Sequence, residues 1–204
     1  VPIQDKNNIS FKSELLRKST HLFALVIPGG YYFLGLSKWQ ALGIMIPIAL
    51  GMIIIDIGRL RGWKMWSLFK PLISPIIREH EMKGDFTGAS YILATSCFVI
   101  GFFSKPVALT ALAFIMVGDP AAAIIGRKFG KHKFRGKSFE GSFAFLIAAV
   151  AVAMIIPHLK TPIGLIGALV ATVTEALSGG LDDNASVPLI SGLIMELLRV
   201  SPLF

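Results

Sequence analysis

The side chains able to do chemistry gather in three short stretches. The densest runs Gly118-Asp119-Pro120-Ala121-Ala122-Ala123, Gly126-Arg127-Lys128-Phe129-Gly130-Lys131 and Gly136-Lys137-Ser138-Phe139-Glu140-Gly141-Ser142. Its glycines let backbone approach a ligand closely, and Arg127, Lys128, Lys131, Lys133, Arg135 and Lys137 supply positive charge. Ser138 stands where a helix is expected to begin, so free N–H groups beside Lys137 would form a phosphate site. Ser138 fits a plain N-cap equally well. Gly136-Lys137-Ser138 imitates the end of a P-loop, but that motif needs glycine where Lys131 stands and a strand before it. The P-loop reading fails.

The second stretch is Glu175 followed by Gly179-Gly180-Leu181-Asp182-Asp183-Asn184. Hard oxygen donors of this kind suit Mg²⁺, which uses one or two carboxylates plus substrate phosphates; a polar turn capped by Asp and Asn explains the same residues. The third is Glu14-Leu15-Leu16-Arg17-Lys18-Ser19-Thr20-His21, where Glu14, Arg17 or Lys18, and His21 share one helix face. A self-neutralising, snorkelling helix end is the alternative there. Arg78-Glu79 and then Lys83 through Ala89 read as a capped entry into an apolar segment. Together these groups point to phosphoryl or nucleotidyl transfer. Cations would hold an anionic donor, with Mg²⁺ on Asp119, Asp183 and Asn184. His21, Asp119 or Glu175 would then position the attacking oxygen.

The elements that must carry these groups are apolar. Of 204 residues 54% are hydrophobic and 16% charged, with a mean hydropathy of +0.71. A soluble chain is nearer one quarter charged. Long apolar runs predict spans at about 21–37, 40–57, 86–103, 106–126, 140–157 and 161–178, and a seventh, interrupted by Pro188 and Gly192, at about 185–200. The expected fold is an all-α polytopic membrane bundle of six or seven transmembrane helices, a single integral membrane catalytic domain over 1–204. Residues 62–78 carry Trp63, Trp66, Phe69, Ile73, Ile76 and Ile77 near helical spacing, interrupted by Pro71 and Pro75. They predict a broken amphipathic helix in the interface.

Sixteen of the 20 Lys and Arg fall in the segments before the first span, after the second and after the fourth. The positive-inside rule places those segments, and the N-terminus, in the cytoplasm. For a prokaryotic source the membrane is the cell membrane. The net charge of +8 is thereby explained by topology and anionic lipid rather than nucleic acid. At 1.5 Å per residue, Asp119, Glu175 and Asp56 lie about 20, 21 and 24 Å from the outer ends of their spans, and His21 opens the first span from the inner side. Four ionisable groups at one depth near the inner edge mark a functional layer. Transporters place such groups nearer the midplane, between repeated halves, and no internal repeat is visible. The lone Cys97 reads as packing. The polar start lacks the pattern of a cleavable signal, and its missing Met reads as a processed terminus.

The ordered set Arg17-Lys18-x-x-His21, Asp56-x-x-Arg59, Arg78-Glu79 with Gly88 and Tyr91, Asp119-x-x-Ala122, Gly126-x-x-x-Gly130-Lys131, Lys137-Ser138-x-Glu140-Gly141-Ser142 and Asp183-Asn184 resembles the CTP-dependent lipid alcohol kinases: dolichol kinase, phytol kinase and the yeast-type diacylglycerol kinase. It covers about residues 14–190. The resemblance implies CTP as donor and a long-chain lipid alcohol as acceptor. It places Arg127, Gly130, Lys131, Lys137, Ser138 and Glu140 at the nucleotide. The related phosphatidate cytidylyltransferases look similar around Asp119 to Glu140. They usually carry Ser-Pro-Lys-Lys-Thr in the loop and a late His-Gly-Gly with Asp-Arg, which this chain lacks. A CDP-lipid synthase is therefore the alternative, and a small transporter a more distant one. Membrane lipids are expected partners.

Overall fold

The computed structural model describes residues 11–64, 66–73, 77, 81, 84–178 and 182–202. Val1–Ser10, Arg78-Glu79, Lys83 and Gly179-Gly180-Leu181 lie outside them. The described helices are α1 (Phe11–Phe23), α2 (Val26–Phe33), α3 (Lys38–Leu60), α4 (Trp66–Ile73), α5 (Gly88–Phe102), α6 (Lys105–Phe129), α7 (Phe139–Ile155), α8 (Thr161–Leu177) and α9 (Asp183–Val200). The all-α expectation holds apart from one hairpin, β1 (Lys133–Phe134) with β2 (Lys137–Ser138), paired antiparallel. Arg135 and Gly136 make its turn with φ of 45° and 81°, the left-handed pair that a tight two-residue hairpin requires.

The expected single span at 21–37 is two helices. Pro28 excludes the carbonyl four residues back from a normal helical bond, and that carbonyl, on Ala24, instead accepts the N–H of Ile27 at 2.9 Å. The chain bends there and resumes as α2. By contrast α6 runs unbroken through Pro120, and α4 through Pro71. Ser37 starts α3 with a reciprocal capping box: its hydroxyl accepts from the Gln40 N–H, and its own N–H donates to the Gln40 side chain.

Burial ranks the helices. In its most apolar window α6 is 72% buried against 28% for α3, so α6 is the axis and α3 lies at the periphery. Around α6 pack α7, α9, α1 and α2, while α8 bridges α7 and α9, and α3 leans chiefly on α5. Small residues permit the close crossings: a Cβ at Gly118 would fall 2.6 Å from the Phe145 ring. The outer shell is apolar as well. Leu165, Leu169, Val173 and Leu177 form an exposed four-residue stripe on α8, and Ile44, Ile48 and Leu50 are exposed on α3. Such a surface suits lipid rather than water. Among the described residues two helices, α3 and α6, are long and apolar enough to cross a membrane, at about 35 and 37 Å by helical rise. Those at Gly88–Phe102, Phe139–Ile155 and Thr161–Leu177 are apolar but shorter.

Contacts sort the helix ends into two groups. At one end Asp56 of α3 meets Thr87 and Ser90 of α5, Lys18 of α1 meets Asp119 of α6, and Lys137 meets Glu175 of α8 and Asp183 of α9. At the other, Lys38 donates to the Gly101 carbonyl, Lys105 to the Leu36 carbonyl, and Ser104 to Glu196 of α9. The expected common depth of the acids is a common end of the bundle, and α9 runs from one end to the other.

Candidate active site

Two charged clusters meet at that end. In the first, Lys18 Nζ stands 2.5 Å from Asp119 Oδ1 and His21 Nδ1 3.0 Å from Asp119 Oδ2, all three residues being buried. Lys18 and His21 sit three apart on α1, so one helical turn presents both to the same carboxylate. In the second, the Lys137 ammonium lies 2.8 Å from Glu175 Oε1 and 3.0 Å from Asp183 Oδ2. It also donates to the Glu175 carbonyl and to Ser178 Oγ. Burial alone favours neutral Lys137, but Asp183 and Glu175 overcome it and hold its pKa above the ordinary lysine value.

The hairpin delivers Lys137. Ser138 caps α7 by accepting the Gly141 N–H at 3.1 Å and is buried. Gly126, Gly130 and Gly141 all crowd its hydroxyl: a Cβ at Gly130 would lie 2.8 Å from Ser138 Oγ, and one at Gly126 2.9 Å away. Glycine here lets α6, the hairpin and α7 converge. Glu140 reaches back to His132, Nδ1 to Oε1 being 2.8 Å, and closes the loop. Arg127 and Lys131 are exposed beside it. Among the expected nucleotide residues, then, Lys137 faces the acids, Ser138 and Gly130 shape the loop, and Glu140 braces it.

Asp183 and Asn184 open α9. Asn184 is 1% exposed, yet neither atom of its side-chain amide has a hydrogen-bond partner among the described residues. A buried orphan amide is costly, and the Asn184 amide oxygen and the Asp183 carboxylate are each hard donors of the kind that Mg²⁺ accepts together with phosphates. Asp119 Oδ1 is held by Lys18, and Oδ2 lies 3.0 Å from His21 Nδ1 without a well-directed hydrogen bond, while Asp183 has Oδ1 on Ser178 and Oδ2 on Lys137. Among the described residues no group of three or more His, Cys, Asp and Glu side chains is gathered as a metal cage.

Asp56 plays a different part. Fully buried, it accepts the Thr87 N–H and hydroxyl at 2.8 Å each and the Ser90 hydroxyl at 2.6 Å, and pairs with Arg59 Nε at 3.1 Å. Arg59 in turn donates to the carbonyls of Glu81 and Asp85 at 2.6 Å each. Asp56 and Arg59 thus fasten the segment before α5, and that segment presents Glu81. Glu81 is buried, accepts the Gly88 N–H at 3.2 Å, and neighbours the Asn184 amide across Gly88. Nothing in the spacing of residues 78–88 singled Glu81 out, because a run of alternating charges has no face.

A cavity of about 790 Å³ opens between α1, α2, α3 and α5. Arg17, Thr20, His21, Glu81 and Thr87 line its polar end, and Ile27, Ala41, Met45, Ile48 and Leu93 part of its long apolar wall. Gly88 and Ala89 line it; Ala122 does not, its carbonyl facing Gly141 instead. His21 belongs to both the charged cluster and the cavity.

Comparison with known proteins falls on this arrangement. An uncharacterised protein of Rickettsia prowazekii is 27% identical, over 88% of this chain and 91% of that one. The CTP-dependent diacylglycerol kinase of Schizosaccharomyces pombe is 27% identical, over 93% and 95% of the two chains. The phytol kinase of Synechocystis is 31% identical, over 59% and 58%. The chain is similar to CTP-dependent diacylglycerol kinases and to phytol kinases. The resemblance carried by its motifs is borne out. No family model matches the chain, and no solved structure matches it. Across the length shared with the Schizosaccharomyces kinase fall both charged clusters, the hairpin and the polar end of the cavity.

Proposed function

We propose that this protein is a membrane lipid kinase that moves the terminal phosphoryl group of CTP onto the hydroxyl of a long-chain lipid alcohol. The observation that carries the reading is the junction at His21. One ring nitrogen faces Asp119 in a charged cluster fit for phosphates, while the residue lines an apolar cavity fit for a hydrocarbon tail. The kinase names of the relatives support the acceptor class, and the diacylglycerol kinases among them name CTP.

In the reaction the alcohol oxygen bonds to the terminal phosphorus as the bond to the bridging oxygen breaks, releasing CDP. His21, oriented by Asp119, accepts the alcohol proton or holds the hydroxyl in line. Lys137 and the exposed Arg127 and Lys131 neutralise the donor's phosphates. Asp183 and the Asn184 amide would hold Mg²⁺, which would supply positive charge to the donor's phosphates and the leaving group. Lys18 shifts from Asp119 toward the transferred group as negative charge grows there, which would free one Asp119 oxygen to help hold Mg²⁺ while the other keeps His21 oriented. Glu175 keeps Lys137 charged and aimed.

The bundle sits in the membrane as a single domain of six or seven spans, counting α1 with α2 as one, with α4 in the interface. The charged end and the N-terminus face the cytoplasm, where CTP is available and most positive charge lies. Purified protein in lipid nanodiscs, given labelled CTP, ATP, GTP and UTP against a panel of lipid alcohols, tests the reading. Alcohol monophosphate with release of CDP is expected. A CDP-lipid with pyrophosphate would make the protein a synthase, and no turnover with any pair would overturn the reading outright.

A further inference from the structure

We infer that the cavity between α1, α2, α3 and α5 holds one hydrocarbon chain of the acceptor along its length. The inference rests on the kinase reading and adds to it the shape of the substrate. The cavity's α3 wall extends from Ile55, near the polar end, to Ala41, about 21 Å at 1.5 Å per residue. A lipid chain confined to one leaflet reaches about half of the ~30 Å hydrocarbon core, so one such chain fits with little room beyond it.

The far end is shut. Tyr31 is buried there with the Lys105 ammonium 4.5 Å over its ring, while Lys105 donates to the Leu36 carbonyl and Lys38 to the Gly101 carbonyl. These reciprocal lysine bonds tie α2, α3, α5 and α6 together and close the floor. The side is open. Val26, Leu34, Ile44 and Ile48 line the cavity and are also exposed on the apolar surface, so a chain can enter sideways from the bilayer. Its volume lies within the range of a single-ligand pocket. A second chain, or a polyprenyl tail several times longer, remains in the bilayer.

Hydrocarbon moving from bilayer to cavity gains no hydrophobic driving force, because lipid tails are already apolar. Selection therefore acts by fit, and fit is testable by steric fill. Gly30 lines the cavity, and a Cβ there would meet nothing within 4 Å. Gly30→Leu projects into the tail path without a backbone clash. It lies nine residues beyond His21, about 13 Å along the helices, past the reach of a ten-carbon prenol and within that of a twenty-carbon prenol.

The experiment compares kcat/KM for geraniol and geranylgeraniol in wild type, Gly30→Leu and Ile48→Trp, the last filling the cavity from α3. Ile147→Phe, on the exposed face of α7 outside the cavity, is the control. Overpacking predicts a loss on the order of ten- to hundredfold for geranylgeraniol in both fillers, with geraniol turnover and the KM for CTP held and the control at wild type. Geraniol turnover reports folding, and the second filler covers a first that fails to fold. If wild type accepts only diacylglycerols, dihexanoyl and dioleoyl forms take the two places. Equal loss on short and long acceptors, or no loss on either, overturns the tail site while leaving the kinase standing. Absence of alcohol phosphorylation by wild type with every nucleotide overturns the kinase reading instead.

Discussion

Replacing Lys137 by Met separates the two jobs assigned to that residue. Its ammonium stands within 3.0 Å of both Glu175 and Asp183, so the substitution leaves two neighbouring carboxylates without their shared cation. Breaking a buried pair from one side costs about 3–5 kcal/mol. Lys137 and Asp183 side chains each keep 23% exposure, which puts the expected cost at the lower end, about 3 kcal/mol. For a chain of this size that lowers Tm by roughly 6–12 °C. Adding Glu175→Gln removes the buried charge left behind and should return much of the Tm. Nucleotide binding behaves differently, because a lost charge-assisted contact costs about 1.5–3 kcal/mol, roughly 10- to 150-fold in affinity. The double variant therefore recovers stability without recovering affinity or turnover. Thermal unfolding in detergent, nucleotide binding and turnover in nanodiscs read the three quantities, with Lys64→Met, in an exposed position, as the reference. Nucleotide affinity equal to that of Lys64→Met, or turnover restored along with Tm, would refute the reasoning.

Asp119→Asn and Asp183→Asn should each abolish turnover in protein that still folds and inserts; near-normal rates at saturating Mg²⁺ would remove that residue from the site. Asp56→Ala leaves three buried donors and the Arg59 guanidinium without their acceptor, at about 1–3 kcal/mol for each unsatisfied buried group. The expected outcome is a Tm drop larger than that of Lys137→Met, and an equal or smaller drop would contradict it. Glu81→Gln, at the polar end of the cavity, should lower kcat for the alcohol with little effect on the KM for CTP; a change in KM for CTP alone would place Glu81 at the nucleotide. A cysteine at position 132 in otherwise Cys-free protein should resist membrane-impermeant labelling from outside intact cells, and outside labelling would reverse the topology.

The apolar segments were legible because run length reports hydrophobic exposure directly, and α3, α5, α6, α7, α8 and α9 begin within a few residues of the expected spans. The shared end of Asp56, Asp119 and Glu175 was legible because helical rise converts sequence position into depth. Partner choice was not. Depth does not say which helices touch, so Asp119 was read as a metal ligand or as positioning the attacking oxygen, where the structure sets it against Lys18 and His21, and Asp56 was read into the functional layer, where it caps α5 and holds Arg59. The bend at Ala24 was hidden because Pro28 sits in an apolar run whose hydropathy does not register a missing donor. The hairpin escaped because two-residue strands are too short to alternate. Arg135-Gly136 was its one signal, and the surrounding cations drew attention first.

The side opening of the cavity changes what concentration means for this protein. An alcohol that reaches His21 past Val26 and Ile48 has already left water, so the quantity that saturates the site is its mole fraction among the surrounding lipids. Diluting such a substrate with inert lipid or detergent slows the reaction even when its molarity in the tube is unchanged. In the proposed reaction CTP, arriving from solution, would be indifferent to that dilution. The two proposed substrates would thus obey different concentration scales, one set in a plane and the other in a volume.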